Sequence, residues 1–476
     1  MAKKPHKILI NGKWVSTGRR LDVVNPYDGS VAHATYLAGP VELKDALQAA
    51  ASAFETLRGY PSYKRAEAME KVVSGINARA EELARTIALE AGKPIREARS
   101  EVKRAANTFQ IALEEAKRLF GEVVPLDIAT GSEKRLGIVR RFPIGAVLCI
   151  TPFNFPLNLV AHKVAPAMAC GNAVIVKPAS KTPLSALMLG EIITEAGWPA
   201  GGVNIVPSSG RDTEKLLEDG RVKKLSFTGS AAVGWRLKEK AGMRRVTLEL
   251  GGNAGVIVHD DADIEYAARR CAFGSFAYAG QICISVQRIY AQKKIFKEFK
   301  DSLLKYSGAL KLGDPMDETT DIGPMIEEEA ALRTEEWVRE AVKGGARVLL
   351  GGKKGKGSFF PPTVLTGTKP SMKVCGREVF APVAALEEYD KFDDALTEVN
   401  SGLYGLQAGI FTKDAARLFH AYERLDVGGV IANDIPTYRA DNMPYGGVKM
   451  SGFGREGVRY AIEEMTELRL LALNLS

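Results

Sequence analysis

From Gly145 to Gly252 the chain repeats one pattern, a short apolar run rich in β-branched residues, then a loop, then a stretch of helical period. GAVLCI precedes a helix around Leu159–Ala169, NAVIVKP a helix from Pro183 to Ala196, and VNIVPSS a helix from Asp212 to Glu218. KKLSFTGS leads into a further helix before RVTLELGG. Continuously apolar strands alternating with helices predict a parallel sheet with helices on both faces, since a strand buried on both sides needs no polar alternation. Ligands of such a sheet bind beyond the carboxyl ends of its strands. A second alternation runs from about Ala254 to Arg439, and the apolar tail Leu468–Leu475 reads as a final strand.

Upstream, short strand-like runs at Lys7–Ile10 and Trp14–Val15 precede the turn-rich segment Asn25–Ser30. Apolar residues then recur at helical spacing from about Val41 to Phe120, and Gly59-Tyr60-Pro61 and Gly92-Lys93-Pro94 divide this region into at least three helices. Between Gly121 and Phe142 two extended runs, VVPLDI and RLGIVRRF, flank the turn signal Ala129-Thr130-Gly131-Ser132 and predict a hairpin. A ribbon with no sheet of its own is expected to pair with another chain or with the end of this one.

Composition narrows the function classes. The 476 residues are 46% hydrophobic and 26% charged, ordinary for a soluble globular protein, with enough chain for roughly three domain-sized units. The N-terminus has no apolar signal core and no run is long enough to cross a membrane, so a cytoplasmic protein without a membrane partner is expected. The net charge of +8 comes from basic residues interleaved with 57 acidic ones, which argues against a nucleic-acid partner. Five cysteines without a CxxC pair and five scattered histidines suggest neither disulfides nor a metal site.

Several chemistry-bearing residues fall at predicted strand ends: Asn154 beyond Ile150, Lys177 closing NAVIVK, Gly229 and Ser230 closing FTGS, and Glu249 closing VTLE. FTGSAAVG has glycines spaced GxxxxG, a loop whose amides can approach a pyrophosphate or simply turn the chain. Glu249 suits a general base, if a partly apolar cleft raises its pKa, or an ion pair. Asn154, stiffened by Phe153, Phe155 and two prolines, suits an oxyanion donor or a loop amide. Cys283, in FAYAGQICISVQR, is a nucleophile or a buried small hydrophobe, and Cys271 looks similar in isolation.

TPFNFP, NAVIVKPAS, FTGS, LELGG, GQIC, EVFAPV and PYGGVKMSGFGREG occur in an order and spacing that resemble the aldehyde dehydrogenase superfamily from end to end. The look is nearest to the branch of lactaldehyde, non-phosphorylating glyceraldehyde-3-phosphate and phosphonoacetaldehyde dehydrogenases. The resemblance implies an α/β fold with a Rossmann-type cofactor domain (1–120 and 143–252), an α/β catalytic domain (253–454), and a β-ribbon oligomerisation element formed by the bridging segments 121–142 and 455–476. A homo-oligomer, dimer or tetramer, is expected.

By the same resemblance Cys283 attacks the aldehyde, Asn154 and the Cys283 backbone amide hold the oxyanion, and Glu249 activates the water that releases the acid. The NAD or NADP contacts implied are Ile150, Thr151, Phe153, Lys177, Ser180, Gly210, Phe227, Gly229, Ser230, Val233, Leu250, Glu378 and Phe380. Ser180 stands where many NAD-preferring members have a glutamate that repels a 2′-phosphate, so NADP is expected to be accepted, with Lys177 and Lys181 beside it. Arg104, Arg288 and Arg439 are the expected substrate contacts, suited to a small or anionic aldehyde. The alternatives are a CoA-acylating dehydrogenase, against which Glu249 argues, and a catalytically silent binding or structural homologue.

Overall fold

The architecture is a computed structural model that describes residues 4–475. The first sheet has eight strands in the spatial order Lys13–Val15, Ile8–Ile10, Val203–Ile205, Ala173–Lys177, Ala146–Ile150, Val222–Thr228, Arg245–Glu249 and Gly452–Phe453. The five from Val203–Ile205 to Arg245–Glu249 run parallel, and antiparallel strands close both edges. These parallel strands are almost wholly buried, the physical reason their sequences lack alternation.

Four helices, Pro40–Leu57, Ser62–Ala78, Ala80–Ala91 and Ile95–Ala116, occupy the region before the ribbon. The Gly/Pro clusters mark two of the breaks. The third falls at Arg79, with φ −106° and ψ 20°, where no glycine or proline announces it. A short antiparallel pair, Arg20–Val24 with Val31–Tyr36, surrounds the Asn25–Ser30 turn. The helix Asn158–Cys170 is buried along its whole length and ends at Gly171 in the left-handed region, φ 85°.

The second sheet has seven strands, ordered Arg347–Leu350, Thr363–Thr366, Val383–Tyr389, Val286–Gln292, Ala254–Val258, Gln407–Phe411 and Gly429–Ala432, all parallel except the first pair. The ribbon is the expected hairpin, Glu122–Pro125 against Arg135–Pro143, and its partner is the end of this same chain: Thr466–Asn474 pairs antiparallel with Arg135–Pro143 along its full length. No helix among the described residues is long and apolar enough to cross a membrane.

Candidate active site

Cys283 follows a loop of unusual backbone. Tyr278 and Ala279 adopt left-handed φ of 47° and 52°, costly for side chains with a Cβ, and Gly280 follows at 66°. A Cβ on Gly280 would come within 2.2 Å of the Ala381 carbonyl oxygen, so glycine is required there. The strain is held by packing: the Tyr278 hydroxyl donates to the Ala91 carbonyl at 2.7 Å, and its backbone N–H to Glu97 at 3.3 Å. Lys93 is fully buried between the rings of Phe155 and Tyr278, 3.7 and 4.6 Å from their centres, and pairs with Glu101.

The same Glu101 reaches the other wall of the site. Its Oε1 accepts from the backbone N–H groups of Leu157 and Asn158 at 2.9 and 3.1 Å, fixing the turn that leaves Asn154 beyond the strand Ala146–Ile150. Asn154 Nδ2 donates one hydrogen to the Gln281 carbonyl at 2.9 Å, which ties it to the cysteine loop. A primary amide has two such hydrogens, so the second remains for a ligand.

Cys283, Asn154 and Glu249 line one cavity of about 440 Å³. Burial pushes the Cys283 thiol up to about 11, opposed by a hydrogen bond to the Tyr445 hydroxyl and by the Arg439 charge. Glu249, at the carboxyl end of Arg245–Glu249, is 2% exposed and neither carboxyl oxygen meets a hydrogen-bond partner among the described residues. Burial, then the neighbouring Glu456 carboxylate, hold its pKa well above the usual carboxylate range. Cys271, by contrast, lies fully buried within the helix Ile264–Phe276, and burial raises its thiol strongly.

A second cavity of about 420 Å³ adjoins the first, the two sharing Pro152, Phe153, Thr228, Gly229 and Ser230. Ile150, Thr151, Lys177, Ser180, Gly210, Phe227 and Val233 line it, as do Lys181 and Arg236. Leu250, Glu378 and Phe380 line the cysteine cavity instead. Phe380, at a left-handed φ of 52°, meets Phe153 edge to face with centres 5.8 Å apart. Glu378 accepts from Gly252 N at 3.0 Å, and burial pushes it up to about 7.

A Cβ on Gly229 would come within 2.7 Å of the Phe227 ring, so glycine lets that ring pack against the turn after the strand. Gly234 has a different reason: its Cβ would meet Leu250 at 2.3 Å, so it lets the helix pack on the sheet. The residues expected to hold a dinucleotide thus line two adjoining cavities, with Gly229 and Ser230 on the shared wall and Lys177 in the second. Lys181 is already paired with Glu327.

Residues 14–471 match the aldehyde dehydrogenase family. The 3-sulfolactaldehyde dehydrogenase of Priestia aryabhattai is 47% identical over 473 residues, 99% of this chain and 98% of the relative. The chain belongs to the aldehyde dehydrogenase family. Among solved structures, aldehyde dehydrogenase 21 of Physcomitrella patens, in complex with its reaction product succinate, superposes with a TM-score of 0.98 at 44% identity, covering 100% of this chain and 99% of that one. The glyceraldehyde-3-phosphate dehydrogenase of Methanocaldococcus jannaschii, complexed with NADP, gives 0.92 at 39% identity over 96% and 100%.

Two of the three candidate arginines of this aldehyde dehydrogenase line the cysteine cavity. Arg104 donates to Asp441 at 2.7 Å, and Arg439 donates to Glu456 at 3.2 Å while lying 3.7 Å over the Tyr445 ring. Arg288, expected at the substrate, is not part of that cavity. It is buried in the strand Val286–Gln292, and its guanidinium donates to the carbonyls of Asn253, Glu398 and Val399, which ties the strand to the end of the helix Phe392–Asn400.

The sequence reading missed Tyr445, and with it a buried charge network. Lys163 donates to Glu456 at 2.7 Å, and against the cost of burial Lys163 and Arg439 hold Glu456 down at about 2. His162 contacts Asp441 at 3.0 Å, and burial lowers its imidazole to about 4. One signal was available: a His-Lys pair inside the apolar run NLVAHKVAPAMAC marks a buried charge in need of a partner.

Proposed function

We propose that this aldehyde dehydrogenase oxidises a small aldehyde bearing an anionic group to the carboxylic acid, with NADP preferred to NAD. One observation carries the substrate class. Arg104 and Arg439 both line the cysteine cavity, and each retains a buried Nε–H that meets no partner among the described residues. A sulfonate, carboxylate or phosphate supplies the acceptor such donors lack. The relatives support the class, being named for a sulfonated aldehyde, a phosphorylated one, or solved with a dicarboxylate product.

In the reading proposed, the Cys283 thiolate adds to the aldehyde carbonyl, and the oxyanion of the thiohemiacetal takes the free Asn154 amide hydrogen and the Cys283 backbone N–H. A nicotinamide held by Glu378 and Phe380 would supply the hydride acceptor, and loss of hydride from the thiohemiacetal would leave a thioester on Cys283. Glu249, once ionised, takes a proton from water, whose oxygen attacks the thioester and releases the acid and the thiol. Asn154 is preorganised for its part by its bond to the Gln281 carbonyl and by the Glu101-fixed turn behind it.

Ser180 supports the NADP preference, since no carboxylate stands at that position and Lys177 lines the same cavity. The division proposed gives 1–120 and 143–252 the cofactor, 253–454 catalysis, and 121–142 with 455–476 the bridging to other copies, although the strand Gly452–Phe453 joins the first sheet.

An aldehyde panel tests the class. Wild type is expected to favour sulfonated, carboxylated or phosphorylated aldehydes over neutral ones of equal size, with kcat/KM higher for NADP than for NAD. Arg104→Leu should raise KM for the anionic aldehydes about 10-fold or more, the scale of one lost charge-assisted bond, and leave neutral ones little changed. Equal loss for both classes contradicts the assignment.

A further inference from the structure

We propose that Tyr445 is a catalytic residue, its hydroxyl donating a hydrogen bond that stabilises the Cys283 thiolate. The phenol oxygen lies 3.1 Å from Cys283 Sγ, within the distance for a hydrogen bond to sulfur, and among the described residues no other hydrogen bond reaches that sulfur. Both side chains line the cavity that holds Asn154 and Glu249. The inference rests on Cys283 being the nucleophile.

The direction of the bond follows from the surroundings. Tyr445 is 2% exposed, and burial keeps its phenol well above the ordinary value, so the hydroxyl retains its proton at working pH. The Arg439 guanidinium lies over the ring face at 3.7 Å and withdraws electron density from the phenol, strengthening it as a donor. An anionic sulfur is the acceptor that gains most from such a donor.

The groups facing the thiol from the surrounding elements otherwise oppose one another. Arg439 favours the thiolate, while Glu378, before the strand Val383–Tyr389, and Glu249, at the end of Arg245–Glu249, disfavour it. With apolar burial also against ionisation, the Tyr445 bond is the strongest influence favouring the thiolate. When the thiol ionises its proton passes to solvent, and Tyr445 keeps its own.

A hydrogen bond to a charged group shifts an ionisation by about one to two pH units. It also costs some reactivity, because thiolate nucleophilicity falls with pKa at a slope of about 0.4–0.5. The two effects together give a signature. Removing the hydroxyl slows Cys283 at neutral pH by about 3–10-fold yet quickens it once the thiol is fully ionised.

The test is the rate of Cys283 alkylation by iodoacetamide as a function of pH in wild type and Tyr445→Phe, read on the Cys283 peptide by mass spectrometry. The inflection is expected to rise by about one to two pH units, with the two curves crossing at alkaline pH. An unchanged inflection, or no slowing below it, overturns the proposal. If Tyr445→Phe does not fold, 3,5-difluorotyrosine at the same position keeps the ring and supplies a more acidic donor; the inflection should fall, and no movement contradicts the proposal. Turnover of Cys283→Ala separates the two readings: sustained turnover there removes Cys283 as nucleophile, whereas loss of turnover with an unmoved Tyr445→Phe inflection removes only the role of Tyr445.

Discussion

At the scale of single residues, burial disfavours the charged forms of the two groups proposed to react. Burial and Glu456 keep the Glu249 carboxyl protonated above the ordinary range, and burial keeps the Cys283 thiol up at about 11. A general base must be ionised to act, so hydrolysis of the thioester should accelerate as pH rises through the elevated Glu249 value. Glu249→Gln removes that base and leaves acylation in place. Rapid mixing of this variant with aldehyde and NADP should show a burst of one reduced cofactor per site and then a stall. Continued steady turnover would require another base.

How far these residues were legible depended on their setting. Asn154 and Glu249 sit in short motifs at strand ends, and Cys283 in a short motif just before the strand Val286–Gln292, where local sequence carries the signal. Tyr445 and Glu456 also lie within a quoted motif, yet their partners Cys283 and Lys163 are brought to them only by tertiary folding. Arg288 failed for a related reason: charge was visible in the sequence, but not that backbone carbonyls already consume it.

At the scale of elements, the helix Ile95–Ala116 joins both walls of the cleft. Its Glu101 fixes the turn beyond Asn154, and Lys93, just before the helix, supports Phe155 on one side and Tyr278 on the other. Both members of the ion pair are fully buried. Lys93→Met should therefore cost about 3–5 kcal/mol, because it strands the Glu101 charge, and adding Glu101→Gln should recover part of the loss. Urea unfolding midpoints check this; an unchanged midpoint in the single variant would show that the pair contributes little. The parallel strands and the ribbon were readable from apolar pattern and turn residues, whereas the break at Arg79 was not, since no glycine or proline marks it.

At the scale of the whole molecule, the strand Thr466–Asn474 is exposed over most of both faces and borders the three-stranded sheet on one side only. Leu468, Leu470 and Leu471 are each more than half exposed, at 56%, 57% and 55%. A long apolar edge of this kind invites pairing with another copy. Light scattering is expected to give a mass of two or four chains for wild type and a smaller species for Leu468→Glu/Leu470→Glu; an unchanged mass in the variant would place the interface elsewhere. In the function proposed, one thiol, Cys283, held between the two large sheets, carries the oxidation. Cofactor reduction by Cys283→Ala with the best aldehyde of the panel tests it most directly. Loss of turnover with NADP binding retained is the predicted result, and turnover at the wild-type rate would contradict it.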